Sequence, residues 1–503
     1  MSFISSILLV ITAIIGLPYF LLSVWKSMTY WKVRGVKHIP PWPIVGNLGE
    51  LLKLDKHVTY FYDKIYRAFP NERMVGMYEF MTPTMVLRDP EVIEQVLVRK
   101  FSSFPDHGPF LIEDDNLIAE SVFGLRGSGA KWRAVRNKLL SAFTSGKMRS
   151  IIPELVQSCQ EFVDKCPKTI VKEDFTVFAI ESFMKTMFGT AVLPAGKAEL
   201  VDNCKTIFEG RKYIMFQQLA LTYFPKLSQF FNMTFMSNEL HMYFASIMYT
   251  LLEQRARVDC GRSDYAQILV DLKREKKMTI FSRDNSRKNE EFDITDILVI
   301  SQAFMFLFAG LDTTTLVMLH LAFDLSQNKD CQETVRQEVK TILKKYNGCT
   351  FECVRDMKYL DACINETLRM HPSLPFVVRV NDKPTELEGI SLDEGTRIII
   401  PVHSIQMDPK VFPHPEKYDP TRWLDETRTP RKYTFLPFSD GPRVCLGKRF
   451  ALMEIATLYA HILDNFELSL NSETKLPLIY EPNVIFHSPS QKNQIRVDVK
   501  KII

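Results

Sequence analysis

The chain has no cysteines at C-x-x-C spacing and no zinc-type arrangement of cysteine and histidine, so a structural metal module has no ligand set here. An excess of charge of either sign is also lacking. A net charge of +4, evenly spread over 503 residues, gives nucleic acid no basic face to bind. Residues 1–25 hold no charged side chain at all, and no acid precedes Glu50. The first absence makes 1–25 long enough and apolar enough to cross about 30 Å of hydrocarbon. The second leaves Lys26, Lys32, Arg34 and Lys37 as an unopposed basic flank, which holds that side in the cytoplasm and the N-terminus in the lumen. A cleaved signal peptide would need positive charge before the apolar run and small residues after it, and Trp25-Lys26 supplies neither. Eight of the nine cysteines (Cys159, Cys166, Cys204, Cys260, Cys331, Cys349, Cys353, Cys363) are scattered, as reduced thiols of a cytosol-facing body are.

What is present is core material: 46% hydrophobic residues, 24% charged, and 36 phenylalanines, which suit a large globular body with aromatic-lined apolar space. Prolines 40, 41 and 43 stiffen residues 38–47 into an extended hinge. This divides the chain into an anchor (1–25), a basic and proline-rich hinge (26–47) and one catalytic body (48–503). Partial alternation over 75–88 predicts a small β-rich region. The aperiodic stretch 101–120 predicts a long loop of the kind that often carries function. Prolines 167, 194 and 225 punctuate a helical series over 154–273, and 274–289 predicts an exposed polar loop. The phenylalanine-, leucine- and methionine-rich stretch 214–236 suits a cover over a substrate route, a membrane-dipping loop or plain core. A long central helix is predicted from the capping residues of Asp293-Ile-Thr-Asp296 to about Ser326, on the order of 50 Å. Between 297 and 323 its only titratable side chains are Asp312 and His320. Gln302, Asp312 and three threonines make a membrane span there costly. The run Ala309-Gly310-Leu-Asp312-Thr313-Thr314-Thr315 predicts a local opening of that helix, where a hydroxyl competes for a backbone carbonyl. His320 belongs to no motif and is expected to be structural.

The most informative stretch is Phe438-Ser-Asp-Gly441-Pro-Arg443-Val-Cys445-Leu-Gly447, followed by a predicted helix over 448–466. A cysteine at a helix start, with N–H groups aimed back at it, has the environment of a thiolate. By itself such a cysteine is most often an inert buried thiol. The spacing F-x-x-G-x-R-x-C-x-G, however, resembles the haem-binding signature of the cytochrome P450 family, with Ser439 where glycine is commoner. Four more segments resemble family motifs in family order: Trp132-x-x-x-Arg136, the 309–315 run, Glu366-x-x-Arg369, and Phe412-x-x-Pro-Glu-x-Tyr418-x-Pro-x-Arg422-Trp423. Taken alone, Arg136 reads as a snorkelling surface residue and Glu366–Arg369 as a solvated pair.

The resemblance implies a mainly α fold with a small β-rich region and haem b held between the central helix and the cysteine loop. It implies Cys445 as the axial iron ligand, with Trp132, Arg136, Arg379, Arg443, Phe438 and Ala309 around the cofactor. It implies Thr313 and Asp312 as the proton-handling pair and Met305, Phe308, Phe376 and Val377 in the substrate pocket. Glu366, Arg369 and Arg422 would form a buried structural cluster. The implied activity is that of a monooxygenase that splits O2 and oxidises small lipophilic substrates at the endoplasmic reticulum membrane, with its body in the cytosol. Because the chain has no flavin or nicotinamide fingerprint, electrons would come from NADPH-cytochrome P450 reductase, with cytochrome b5 as an optional second donor. Within the family the motif forms look like arthropod microsomal enzymes that clear plant toxins and insecticides. A hormone or lipid hydroxylase, a non-catalytic haem sensor and a peroxide-rearranging isomerase are the alternatives, the last disfavoured by Thr313. The sequons at Asn232 and Asn365 carry no weight in a cytosolic body.

Overall fold

A computed structural model of the chain describes residues 18–108, 117–127, 129–190, 194–208, 212–258, 261–280, 290–425, 427 and 430–502. The larger part of the anchor reading, residues 1–17, lies outside them. Residues 18–28 are helical, and Tyr19, Phe20, Leu21, Leu22 and Trp25 are exposed on them.

The hinge boundary shifts. Trp31 is completely buried, its Nε1 donates to the Met77 carbonyl at 2.9 Å, and its ring fills the place where a side chain on Gly76 would sit. Residues 37–39 exchange backbone hydrogen bonds with Gly76. Burial of an indole drives this docking, so the chain from Tyr30 onward is part of the body rather than a free linker.

The β-rich region is a four-stranded sheet in the order Met74–Glu79, Thr82–Leu87, Arg397–Ile400, Val377–Val380. The second and third strands run parallel; the other neighbours are antiparallel. Val377–Val380 is the edge strand, and Asp106 bridges to its Val380, which brings the 101–108 loop against it. Smaller pairings join Phe466–Leu470, Val497–Lys501 and Thr169–Ile170. The predicted polar loop is flanked by a ribbon, Lys277–Ile280 against Glu290–Asp293; residues 281–289 lie outside the described set.

The central helix runs Asp296–Gln327, capped by Thr295, whose hydroxyl accepts from the Leu298 N–H at 3.2 Å. It packs against the helices Lys172–Met187, Asn238–Arg257, Tyr265–Glu275, Lys358–Met370 and Lys448–Asn465. It is long and apolar enough to cross a membrane, yet its polar groups are used inside the protein: Gln302 bonds the backbone at Glu120, Val122 and Leu298. The expected opening does not appear. The helix is continuous through 309–315, because Thr313 Oγ1 donates to the Ala309 carbonyl at 2.7 Å without breaking the ladder. Pro194 and Pro225 start helices rather than end them, in the first-turn position where a missing N–H costs nothing.

Candidate active site

The cysteine loop is shaped by three backbone constraints. Gly441 has φ +74° and comes so close to the Leu97 carbonyl that any side chain would collide with it. Ser439, two residues earlier, also lies in the left-handed region at φ +58°. The Cys445 N–H then donates to the Phe438 carbonyl at 3.0 Å, closing the loop just before the helix Lys448–Asn465 begins at Gly447. Gly447 faces Phe306 of the central helix, within ordinary contact of where its Cβ would be.

Burial pushes the Cys445 thiol up, against the downward pull of the Gly447 and Lys448 N–H groups and the Arg136 charge. The helix start therefore acts in the expected direction but does not overcome desolvation; a cation bonded to sulfur does. Cys445 keeps open surface although protein encloses it. Ala309 is likewise accessible, and Gly310 and Thr313 partly so, in a helix whose neighbouring residues are mostly buried. An interior space thus lies open to the sulfur and to the middle of the central helix, as a flat cofactor requires.

The arginines around that space divide by what they touch. Arg443 uses its donors on the carbonyls of Pro105, Val122 and Leu125 (3.0, 2.8 and 2.6 Å) and lies 4.4 Å over the Trp132 ring. It braces the 105–125 segment onto the cysteine loop. Trp132 turns its Nε1 to the Val122 carbonyl at 3.1 Å. Arg136 donates to the Val444 carbonyl at 2.6 Å, and Arg379 to Val378 O at 2.9 Å and Ser439 Oγ at 3.1 Å. Among the described residues, neither Arg136 nor Arg379 has a carboxylate within ion-pair distance, and Arg379 Nε is buried without a hydrogen bond. Burial lowers Arg136 and pushes Arg379 down to about 10. Two enclosed guanidinium groups beside an accessible cysteine fit a dianionic cofactor edge such as the two propionates of haem.

On the central helix, Asp312 pairs with Lys172 Nζ at 2.6 Å and borders a cavity of about 490 Å³ lined also by Thr176, Glu481 and Gln491, to which neither Thr313 nor Cys445 contributes. Ser373 Oγ donates to the Thr313 carbonyl at 2.8 Å, tying the end of helix Lys358–Met370 to this turn. Met305 is buried, Phe308 stacks on Phe304 at 5.6 Å, and Phe376 packs on Tyr62 at 4.9 Å, next to Val377 at the start of the edge strand.

Glu366 and Arg369 are completely buried and joined by two bonds of 2.9 and 3.0 Å. Arg422 Nε, Trp423 Nε1 and the Asp419 N–H also donate to the Glu366 carboxylate, at 3.2, 3.0 and 2.9 Å. Arg369 spends its remaining donors on carbonyls of Gln406, Pro415 and Lys417. A solvated surface pair is therefore not what these residues form.

Sequence reasoning singled out neither His107 nor Lys172. His107 Nδ1 lies 3.4 Å from Arg379 Nη1 and its ring stacks on Phe123 at 4.6 Å. The only signal was its place in the aperiodic 101–120 stretch; Lys172 had none.

The profile of the family described as Cytochrome P450 matches residues 37–497. Cytochrome P450 6j1 of Blattella germanica is 32% identical over 493 residues, 95% of either chain. Cytochrome P450 6a8 of Drosophila melanogaster is 32% identical over 473 residues, 91% of this chain and 92% of that one. Cytochrome P450 6B1 of Papilio polyxenes is 28% identical over 494 residues, 96% and 97% of the two chains. Matches of that extent, falling on a chain whose cysteine loop meets the middle of a long apolar helix, make this protein a member of the cytochrome P450 family, haem b-binding monooxygenases.

Proposed function

We propose that the chain oxidises lipophilic xenobiotics, such as plant toxins or insecticides, from the cytosolic face of the endoplasmic reticulum membrane, with electrons from NADPH-cytochrome P450 reductase. The observation that carries the reading is the interior space reached by Cys445, Ala309 and Thr313 and edged by the carboxylate-free Arg136 and Arg379. Resemblance to insect relatives supports the substrate class, and the exposed apolar side chains of 19–25, with Trp42, Phe216, Leu227, Phe230 and Phe231, support the membrane.

Haem, when bound, supplies the reductive splitting of O2, which thiolate ligation favours. The chain's own residues do the rest. Cys445 Sγ holds the iron; Arg136 and Arg379 neutralise the cofactor's carboxylates, and the Trp132 ring supports the guanidinium groups of Arg136 and Arg443, at 5.7 and 4.4 Å. Thr313 Oγ1 has its proton committed to Ala309 O, so its free lone pair orders water in the interior space. Asp312, pinned by Lys172 at the edge of the polar cavity, holds a carboxylate where protons enter from solvent. Met305, Phe308, Phe376 and Val377 supply an apolar wall that excludes water from the substrate side.

Incubating purified protein with reductase, NADPH and a panel of lipophilic compounds tests the reading. NADPH-dependent oxidation of several compounds is expected; turnover of a single steroid or lipid would replace it with the endogenous role. No turnover by a haem-loaded protein would favour the sensor. Cys445→Ser is expected to remove the far-red-shifted Soret band of the ferrous CO complex.

A further inference from the structure

Arg379 is held by uncharged groups. It is 1% exposed on the edge strand, and three acceptors surround it: Val378 O, Ser439 Oγ at 3.1 Å and His107 Nδ1 at 3.4 Å. Asp106 acts on it only at longer range, and pairs instead with Arg443 at 3.6 Å. A carboxylate in place of either side-chain acceptor, Ser439 or His107, would cancel the guanidinium charge and compete with an incoming anion. A hydroxyl or a neutral imidazole orients the fork and leaves its charge intact.

Ser439 has a second peculiarity. Its backbone, at φ +58°, with its N–H donating to Leu436 O at 3.0 Å, sits where glycine is free of strain and most side chains are not. The chain nevertheless carries a side chain there, and that side chain's one polar atom bonds the enclosed arginine. An outlier of this kind beside a binding site calls for a functional reason.

We propose that Ser439 is a positioning residue: its hydroxyl, with His107 Nδ1 opposite, clamps the Arg379 fork toward a carboxylate of the cofactor without neutralising it. The proposal rests on the reading that Arg379 binds a haem propionate. His107, with Nδ1 accepting from Arg379, keeps its proton on Nε2.

The test is the rate of haem transfer from full-length ferric holoprotein to an excess of a haem-scavenging apoglobin. Ser439→Ala removes the acceptor and is expected to speed transfer roughly tenfold, the scale of one hydrogen bond to a charged group. Ser439→Gly relieves the backbone but also lacks the hydroxyl, so it is expected to speed transfer as much. Arg379→Ala is faster than either, and Ser439→Ala in the Arg379→Ala background adds nothing. If Arg379→Ala releases haem quickly while Ser439→Ala matches wild type, the clamp is wrong and the propionate reading stands. Wild-type release by Arg379→Ala overturns both. Fast release by Ser439→Ala with wild-type release by Ser439→Gly would assign the effect to backbone strain and overturn the clamp. Additive acceleration in the double variant would do so too, since Ser439 would then act independently of Arg379.

Discussion

Two sets of buried arginines face the same electrostatic problem and solve it differently. Arg369 and Arg422 both meet Glu366, whose carboxylate also takes the Trp423 and Asp419 N–H groups, so each arginine in that set has a carboxylate partner within the chain. Arg136 and Arg379 lie just as deep beside the cysteine loop with only neutral acceptors around them. Burying an unpaired guanidinium is costly, and arginine cannot escape by shedding its proton as histidine can. The first set therefore reads as architecture and the second as a receptor for an anion from outside the chain. What separates them is a carboxylate partner, not depth.

Breaking the completed set has the largest expected effect. Arg369→Ala removes two of the bonds to the Glu366 carboxylate and leaves the Gln406, Pro415 and Lys417 carbonyls without this donor, costing about 3–5 kcal/mol, on the order of the net stability of a small domain. Yield of folded holoprotein from this variant should collapse although Arg369 has no place at the cofactor, and normal yield would break the distinction between the two sets.

A third buried set sharpens the contrast, because it is built of bases that can neutralise. His57, His320, His371, His403 and His487 converge with Tyr480: His320 stacks on His371 at 4.6 Å, His487 on Tyr480 at 4.0 Å, and His371 lies 3.3 Å from Asp324. Thr59 bonds His57 and His487, while Lys172, Arg67 and Arg369 face the group from neighbouring elements. Burial pushes His57 down to about 4 and His403 to about 3, and lowers His320 and His487 as well. Below the unfolded value near 6.5 the unfolded chain binds protons that the folded one refuses. Stability is therefore full above that pH and falls as pH drops toward about 4, by about 1.4 kcal/mol per unit for each such histidine. Denaturant midpoints measured between about pH 7.5 and 5 should decline steeply, and a flat profile would show the histidines to be hydrated.

Thr313→Ala leaves both arginine sets intact and should leave haem and substrate binding intact too. The ratio of hydrogen peroxide to oxidised product is expected to rise, with productive turnover lower by at least about tenfold, short of the roughly 10²- to 10⁴-fold typical of general acid–base assistance because water partly substitutes for the hydroxyl. Thr315→Ala is the control, since Thr315 is fully buried on another side of the helix. Equal ratios in wild type and both variants would remove Thr313 from the chemistry. The smallest effect is expected for Trp423→Phe, which deletes one of several donors to Glu366. A loss of about 1 kcal/mol in unfolding free energy is expected, because Arg369, Arg422 and the Asp419 N–H remain. A loss as large as that of Arg369→Ala would mean the cluster has no reserve.

The sequence by itself determined the pieces whose physics is local. Cap and turn residues placed the ends of the central helix within about three residues, and the glycine, proline and cysteine order described a bent loop running into a helix. The Glu366–Arg369 pair could be named because i,i+3 spacing puts both side chains on one helical face. Its burial followed only from the family resemblance and not from the spacing, since it depends on Arg422 and Trp423 arriving from a segment more than fifty residues later. The same limit explains the misplaced hinge: Trp31 looked like linker until Gly76, whose missing side chain makes the room, was packed against it. Lys172 and Asp312, His107 and Arg379, and the five histidines are each brought together from distant stretches, and no periodicity encodes those meetings. Residue type and short spacing state what a side chain is able to do. Which partner answers its charge, and how much water is left beside it, is decided only when separate segments close around it.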